Sequence, residues 1–484
     1  MSSSLPYDKT SIESIFEYSR TLLGHSLREV VGESALSASR LQGQGKGGLE
    51  QMLEELFFHY PVNSDPTPDF QEAGLELKGT GLKRLATGEL RIKERLVCDM
   101  IDYMKVVDEV FEQSLFFIKC KVMLLMFYLY EKGVSKWDLR FVYSVLWKLP
   151  EKDLLIIRHD FETIVGKIRR GEAHLLSEGD TEYLAACRKG QKGDKPRRQP
   201  FSDIPAPKRA FSLKPAYMRT VLEFVKSQGG NAVSNIELRG SRKSLVSLQL
   251  LRNHSFEDII IQRFKPFIGK NYLQICSMLG VQPSRSKSRI YLISNRIVSG
   301  SGNAGSTDEV NESEEFQKSG IRMKTVTSFS NGRIKEDTSF ENIDYEEISE
   351  NDEWTESRLY EIFTGRFLFV WFQQPEGETQ NEYNLDHLLL KGAFFWTMPS
   401  ADIDVAERYW DNIRQHVMRN EIDAQHFWHK ADHRLFHVRP KGRNAADRAV
   451  NPHGGTAPKY CYWFNSEYVT SIINEYGGNE REKI

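Results

Sequence analysis

Pro68-Asp69, followed by Glu76-Leu77-Lys78, is the stretch whose residue types and spacing could do chemistry. Written out, it is P-D-x6-E-x-K. The alternation of a β-strand puts Glu76 and Lys78 on one face, roughly 6–7 Å apart along the chain, and turns Leu75 and Leu77 to the other. Asp69 then arrives from a bend favoured by Asn63, Ser64, Asp65, Pro66 and Pro68. Two carboxylates and an amine converging in this way suit metal-assisted phosphodiester hydrolysis. Asp69 and Glu76 oxygens can hold a hard cation such as Mg2+, which also takes phosphate oxygens and water. Lys78 can orient the attacking water or share the developing charge. A solvated strand face can carry the same charges, so the surrounding chain has to decide.

Upstream, Lys46-Gly-Gly-Leu-Glu-Gln-Met-Leu-Glu54 supplies a third acid. The spacing predicts a helix over 47–60, with Glu50 and Glu54 on one face. Glu54 is the preferred additional catalytic acid, with Glu55 as its rival.

The chain that must position these groups has 484 residues, 40% of them hydrophobic, which predicts several domains with sizeable cores. Its 65 Lys+Arg against 67 Asp+Glu exclude a globally basic nucleic-acid coat but not a basic cleft. The longest strongly apolar run, 122–130, is too short to span a bilayer, which needs about 20 residues. The N-terminus carries no signal pattern, and five scattered Cys without a CxxC suit reduced thiols, so a cytoplasmic location is expected.

The sequence reads as a duplication. Ser11-Ile-Glu-Ser-Ile15 returns as Ser255-Phe-Glu-Asp-Ile259, and Asp69-Phe-Gln-Glu-Ala-Gly-Leu-Glu-Leu-Lys78 as Glu315-Phe-Gln-Lys-Ser-Gly-Ile-Arg-Met-Lys324. Arg91-Ile-Lys-Glu94 returns as Arg333-Ile-Lys-Glu336, and Leu213–Tyr217 resembles Phe464–Tyr468. The matches keep their order at a nearly constant offset of half the chain. The expected domains are residues 1–230 and 251–484, joined by a linker over 231–250. The expected fold is α/β, a mixed sheet flanked by helices in each half. Helices are expected over 12–31 and 217–226, and strands at 75–78, 89–97, 116–130 and 366–372.

These motifs resemble the MutH-like branch of the PD-(D/E)xK nucleases. The likeness lies in Lys-Gly…Glu, Pro-Asp…Glu-x-Lys and Lys93-Glu-Arg-Leu96. Within that branch the chain is most similar to the two-domain type II restriction endonucleases that cut GATC. Leu175-Leu-Ser-Glu-Gly-Asp-Thr-Glu-Tyr-Leu184 and Arg209-Ala-Phe-Ser-Leu-Lys214 look characteristic of those enzymes. Arg439-Pro-Lys441 with the aromatic run 460–464 resembles the DNA-reading segment of MutH.

The resemblance implies two tandem restriction-endonuclease-like domains. It implies that Asp69 and Glu76 bind metal, that Lys78 is the catalytic lysine, that Glu54 is the additional acid and that Lys46 contacts DNA. In the first half the Arg-Pro-Lys segment is replaced by Cys187-Arg188-Lys189, of which Lys189 is the firmer match. Arg209 and Lys214 flank the aromatic segment. Residues 187–219 carry ten Lys/Arg against two Asp, as phosphate contact and guanine reading require.

The second half keeps the fold signals but has lost the chemistry: Arg322 stands where Glu76 stands, Lys318 replaces Glu72, and no counterpart of Glu54 is evident. The resemblance implies that this half is a catalytically inactive DNA-binding effector. The expected activity is Mg2+-dependent cleavage of double-stranded DNA at GATC, leaving 5'-phosphates, by a protein that dimerises on DNA. A methyltransferase would belong to the same system without forming a stable complex. A MutH-type nicking enzyme at hemimethylated GATC and a non-cleaving DNA-binding regulator are the alternatives. Gly43-x-Gly45-x-x-Gly48 lacks the preceding strand of a dinucleotide site. His426, His429, His433 and His437 read as a strand pair rather than a metal site.

Overall fold

The computed structural model describes residues 5–34, 48–60, 67–85, 88–190, 194–229, 242–300 and 310–477, together with the backbone of 231–233. The chain forms two compact units, Met1–Arg242 and Lys243–Ile484.

The first unit is built on strands β1 (Glu76–Arg84), β2 (Leu90–Ile92), β4 (Val122–Leu129), β5 (Phe141–Lys148) and β10 (Asn231–Val233). They form one sheet in the order β10-β5-β4-β1-β2. β4 is an unbroken apolar run, VMLLMFYL, because it is central: β1 pairs with it in parallel and β5 antiparallel, and both of its faces are buried. A second sheet, β3-β9-β6, comprises β3 (Leu96–Met100), β9 (Arg209–Leu213) and β6 (Leu184–Arg188). β7 (Arg197–Gln199) and β8 (Ser202–Ala206) form a separate ribbon. The helix Glu151–Arg169 follows Pro150, with Glu151 and Asp153 in its first turn and Lys167 and Arg169 in its last, matching the helix dipole. Its Asp160 carboxylate accepts the N–H groups of Glu182, Tyr183 and Leu184, which locks the helix to the start of β6.

The second unit repeats this plan. β11 (Arg322–Ser328), β13 (Arg366–Gln373) and β14 (Leu389–Thr397) form the sheet β11-β13-β14. β12 (Thr338–Asn342), β18 (Tyr460–Phe464) and β15 (Phe436–Pro440) form β12-β18-β15, with β16 (Arg448–Val450) and β17 (Thr456–Pro458) as its ribbon. Strand orders and pairing senses match those of β1-β4-β5 and β3-β9-β6. The 19-residue helices Glu151–Arg169 and Ser400–Met418 each follow a proline. Gly24 and Gly269 both take positive φ, +84° and +77°, after the helices Ile12–Ser19 and Phe256–Phe264 and the 3-10 turn that follows each.

The structure departs from the local readings in four places. The helix expected over 12–31 is broken into Ile12–Ser19, a 3-10 turn Arg20–Leu22 and Leu27–Val31, because Gly24 adopts a left-handed conformation between them. The strand expected over 116–130 is a helix, Leu115–Cys120, followed by β4; Ser114 caps the helix by accepting the Phe117 N–H. A short apolar run does not declare its own period. Residues 89–97 divide into β2 and the start of β3. Of the histidine-rich stretch, only β15 is a strand; Lys430–Asp432 is a 3-10 turn.

The segment expected as a linker contributes β10, paired with β5, and the helix Leu248–Leu251; residues 234–241 lie outside the described part. Among the described residues all five cysteines are free, and no helix is long and apolar enough to cross a membrane.

Candidate active site

β1 opens at Glu76, so strand alternation sets Glu76 and Lys78 on one face while Leu77 is wholly buried on the other. Replacing Leu77 with Ala would cost about 2–5 kcal/mol and loosen the strand that carries both groups. Phe70 and Leu75 exchange backbone hydrogen bonds of 3.0 and 3.2 Å, closing a turn that returns Asp69 to the start of β1. The Asp69 carboxylate accepts the Leu77 N–H at 2.8 Å, and the Asp69 N–H reaches Glu76 Oε2 at 3.3 Å. Lys78 Nζ donates to Glu76 Oε1 at 2.6 Å.

Two helices complete the cluster. Lys119, on the last turn of Leu115–Cys120, places its Nζ 3.7 Å from Glu76 Oε1 and 4.0 Å from Asp99 of β3. The helix Gly48–Met52 continues as a π-helical turn, Leu53–Phe57, with the Phe58 N–H bonded to the Leu53 carbonyl at 2.9 Å. This turn buries Glu54 and leaves Glu55 exposed. Glu50, one turn earlier, accepts the N–H of Gly79 at 2.9 Å.

Electrostatics reflects the crowding. Burial, then Asp69 and Glu50, push the Glu54 carboxyl up to about 8. Burial and the adjacent Glu76 push Asp69 up to about 6. Burial opposes the Lys78 ammonium, yet Glu50, Glu76 and Asp69 hold its pKa well above the usual lysine value. Burial raises Asp99 against the pull of Lys119. A buried cluster with excess negative charge stabilises an incoming cation. Among the described residues no three Asp, Glu, His or Cys side chains have the spacing of a complete metal cage. Asp69 and Glu76 are the two residues here whose carboxylate oxygens could hold a hard divalent cation.

Residues 58–160, the stretch holding Asp69, Glu76, Lys78, Asp99 and Lys119, match the MutH family, described as DNA mismatch repair enzyme MutH. The whole chain is 32% identical over 465 residues to the type II restriction enzyme Sau3AI of Staphylococcus aureus, covering 90% of this chain and 91% of that one. The chain belongs to the MutH-like type II restriction endonucleases. It is a site-specific deoxyribonuclease, and its substrate is DNA.

For a MutH-like endonuclease, the second unit is chemically inverted. Arg322 opens β11 in the same register against β13 as Glu76 against β4. Lys324 keeps the place of Lys78. Glu315, the counterpart of Asp69, is wholly buried and accepts the N–H groups of Leu245 and Val246 and the Ser244 hydroxyl. That carboxylate now fastens the beginning of the unit instead of facing a substrate.

The residues expected to contact DNA fall into three groups. Arg188 is exposed at the end of β6, and Lys189, half-buried, follows it. Arg439 and Lys441 are exposed on and just beyond β15. Arg209 and Lys214 are instead buried: Arg209 donates to the carbonyls of Ala186 and Leu176, and Lys214 to that of Thr181. These two side chains serve backbone carbonyls inside the β6–β9 region, not a surface that DNA reaches. Lys46 lies outside the described residues.

Glu50, Asp99 and Lys119 join the site without having been singled out in the sequence. Glu50 was legible as the helical partner of Glu54. Lys119 was hidden because its helix reads locally as strand.

Proposed function

We propose that this endonuclease cuts both strands of duplex DNA at unmodified GATC, using Mg2+ and leaving 5'-phosphates. The observation that carries the reading is the single buried face where Asp69, Glu76 and Lys78 meet, flanked by Glu54 and Glu50. Asp69 and Glu76 would hold the cation, which supplies charge neutralisation at the scissile phosphate and a more acidic water. Lys78 stays charged beside Glu76 and can orient the attacking water. Glu54, retaining its proton near neutrality, can hydrogen-bond the water shell. GATC specificity rests on likeness to the family alone.

One chain holds one such set, since Arg322 replaces the second copy's acid. A palindrome has two scissile phosphates, so the economical arrangement is a dimer formed on DNA by two catalytic units. The second unit then serves as an effector that holds another copy of the site, raising local concentration.

Incubating the full chain with plasmid, Mg2+ and either unmethylated or GATC-methylated substrate, then sequencing the ends, tests this. The expected result is double-strand breaks at unmethylated GATC only, faster on two-site than on one-site DNA at equal site concentration. Nicks confined to hemimethylated sites would favour the MutH-like repair reading. Binding without cleavage would favour a regulator.

A further inference from the structure

The degenerate site of the second unit gathers cations where the first gathers acids. Four of them converge on two neighbouring residues of β12. Lys324 Nζ donates to the Ser339 carbonyl at 2.7 Å, and Lys441 Nζ to the Ser339 hydroxyl at 2.8 Å. Arg322 and Arg358 both reach Glu341, at 3.3 and 2.7 Å. Arg358 also holds Glu361 at 2.8 Å. Phe340, between Ser339 and Glu341, is buried, whereas Ser339 is half-buried and Glu341 exposed, in a stretch where the register of β12 against β18 shifts. Among the described residues the group therefore sets Arg322, Lys324, Arg358 and Lys441 against Glu341 and Glu361. Lys324 and Lys441 are spent on neutral oxygens of Ser339.

The corresponding place in the first unit has the opposite excess: Glu50, Glu54, Asp69, Glu76 and Asp99 surround Lys78 and Lys119. Glu341 follows Asp99 in the repeat, at the matching place in the strand beside the site. Solvent reaches the edge of the group, where Lys441 is exposed and the Glu341 side chain is 44% exposed, while the Arg322 side chain behind it is 18% exposed. One wall is rigid. Lys441 and Arg439 lie over the Trp463 ring, at 5.2 and 5.0 Å from its centroid, and the ring stacks on the buried His437. Burial, then Arg322 and Lys441, hold the Lys324 amine down to about 7, with Glu341 pulling the other way.

We propose that this cluster is a metal-independent site for a backbone phosphate of duplex DNA, with Arg322, Lys324 and Lys441 as its donors. The Arg322 guanidinium supplies in the protein the positive charge that a cation would supply between Asp69 and Glu76. The duplication has thus converted a metal-dependent phosphate site into a permanent one, which binds without cutting because Arg322 stands in the place of Glu76 and the Glu315 carboxylate is spent on Ser244, Leu245 and Val246. Arginine suits the exchange, since its fork matches phosphate oxygens. Glu341 competes with the phosphate for Arg322 and Arg358. The inference rests on the proposed role of the second unit as a DNA-binding effector and assigns that role to particular atoms.

The test uses the full chain in excess EDTA, with fluorescent GATC and scrambled duplexes titrated at several salt concentrations. Arg322→Gln and Lys441→Gln should each weaken binding roughly tenfold on both duplexes. Each should lower the slope of log affinity against log salt by about one phosphate contact. Glu341→Gln should tighten binding, an outcome that a merely structural ion pair does not produce. Wild-type affinity and slope in Lys441→Gln, whose side chain is exposed, would overturn the proposal even if Arg322→Gln unfolds. A wild type that cuts plasmid but whose variants bind unchanged refutes this site alone. A wild type that neither binds nor cuts refutes the proposed function as well. Stabilisation by inorganic phosphate equal to that by duplex would reassign the cluster to small phosphates and overturn the DNA assignment.

Discussion

Glu50 accepts the backbone N–H of Gly79 at 2.9 Å, tying the helix that carries Glu54 to the strand that carries Glu76 and Lys78. The contact couples two elements that are far apart in sequence at the point where their acids must converge. Glu50→Ala leaves that N–H without its partner and lets the helix shift, at a cost of about 1–3 kcal/mol. Single-turnover cleavage should fall by at least tenfold, with Mg2+-free DNA binding unchanged. Glu50→Gln, which keeps the acceptor oxygen, should recover much of the loss if the role is positioning. Equal rates in Glu50→Ala and the wild type would remove it.

Asp69→Ala, Glu76→Ala and Lys78→Ala should each abolish detectable cutting while leaving binding in EDTA largely intact. The reason is their shared face and the hydrogen bonds joining Asp69, Glu76 and Lys78. Glu54→Ala should impair cutting, and Glu55→Ala, at an exposed position, should not. Plasmid cleavage beside anisotropy measures both quantities. Near-normal cutting by any one of the first three clears that residue of a catalytic role.

Arg209→Ala should act on stability rather than on DNA contact. Its guanidinium is buried and donates to the carbonyls of Ala186 and Leu176. Removing it leaves two buried acceptors without partners, for a loss of about 2–4 kcal/mol. Urea denaturation should show the lower midpoint, while the protein that remains folded binds duplex with wild-type affinity. A drop in affinity with unchanged stability would return Arg209 to the DNA-contacting set.

His437 predicts an acid sensitivity of the second unit. The ring is fully buried, and burial is the largest cause of a pKa held down to about 4, with Arg439 and Lys430 adding to it and Asp337 opposing. The unfolded chain takes up the proton near 6.5, the folded chain only near 4. The unfolded state therefore binds more protons between these values, and stability present above 6.5 is lost as pH falls toward 4. Between pH 7 and pH 5 this amounts to roughly 2 kcal/mol. Denaturation of the wild type and His437→Phe at both pH values measures it, and the variant should lose less stability on acidification. Parallel losses would place the sensitivity elsewhere.

Much of the site was legible in the chain because it is local. Asp69, Glu76 and Lys78 lie on one turn and one strand, where a period of two and a proline-rich bend dictate which side chains share a face. The duplication was legible for a related reason: a repeated order of elements leaves a repeated order of residues, and Arg322 at the place of Glu76 already set the second copy apart from the first. Other groups could be placed only by long-range packing. Lys119 joins Glu76 because β4 pairs in parallel with β1 and brings the preceding helix to the strand's leading end. Asp99 arrives from the second sheet, and Glu50 from a helix whose π-turn no residue pattern announces. Arg209 and Lys214 look like surface cations in a basic stretch. Only the closure of β6 on β9 turns them inward, where backbone carbonyls satisfy them. A residue's type and neighbours set what it can do chemically, but whether it faces a substrate or a carbonyl depends on which distant strand lies beside it.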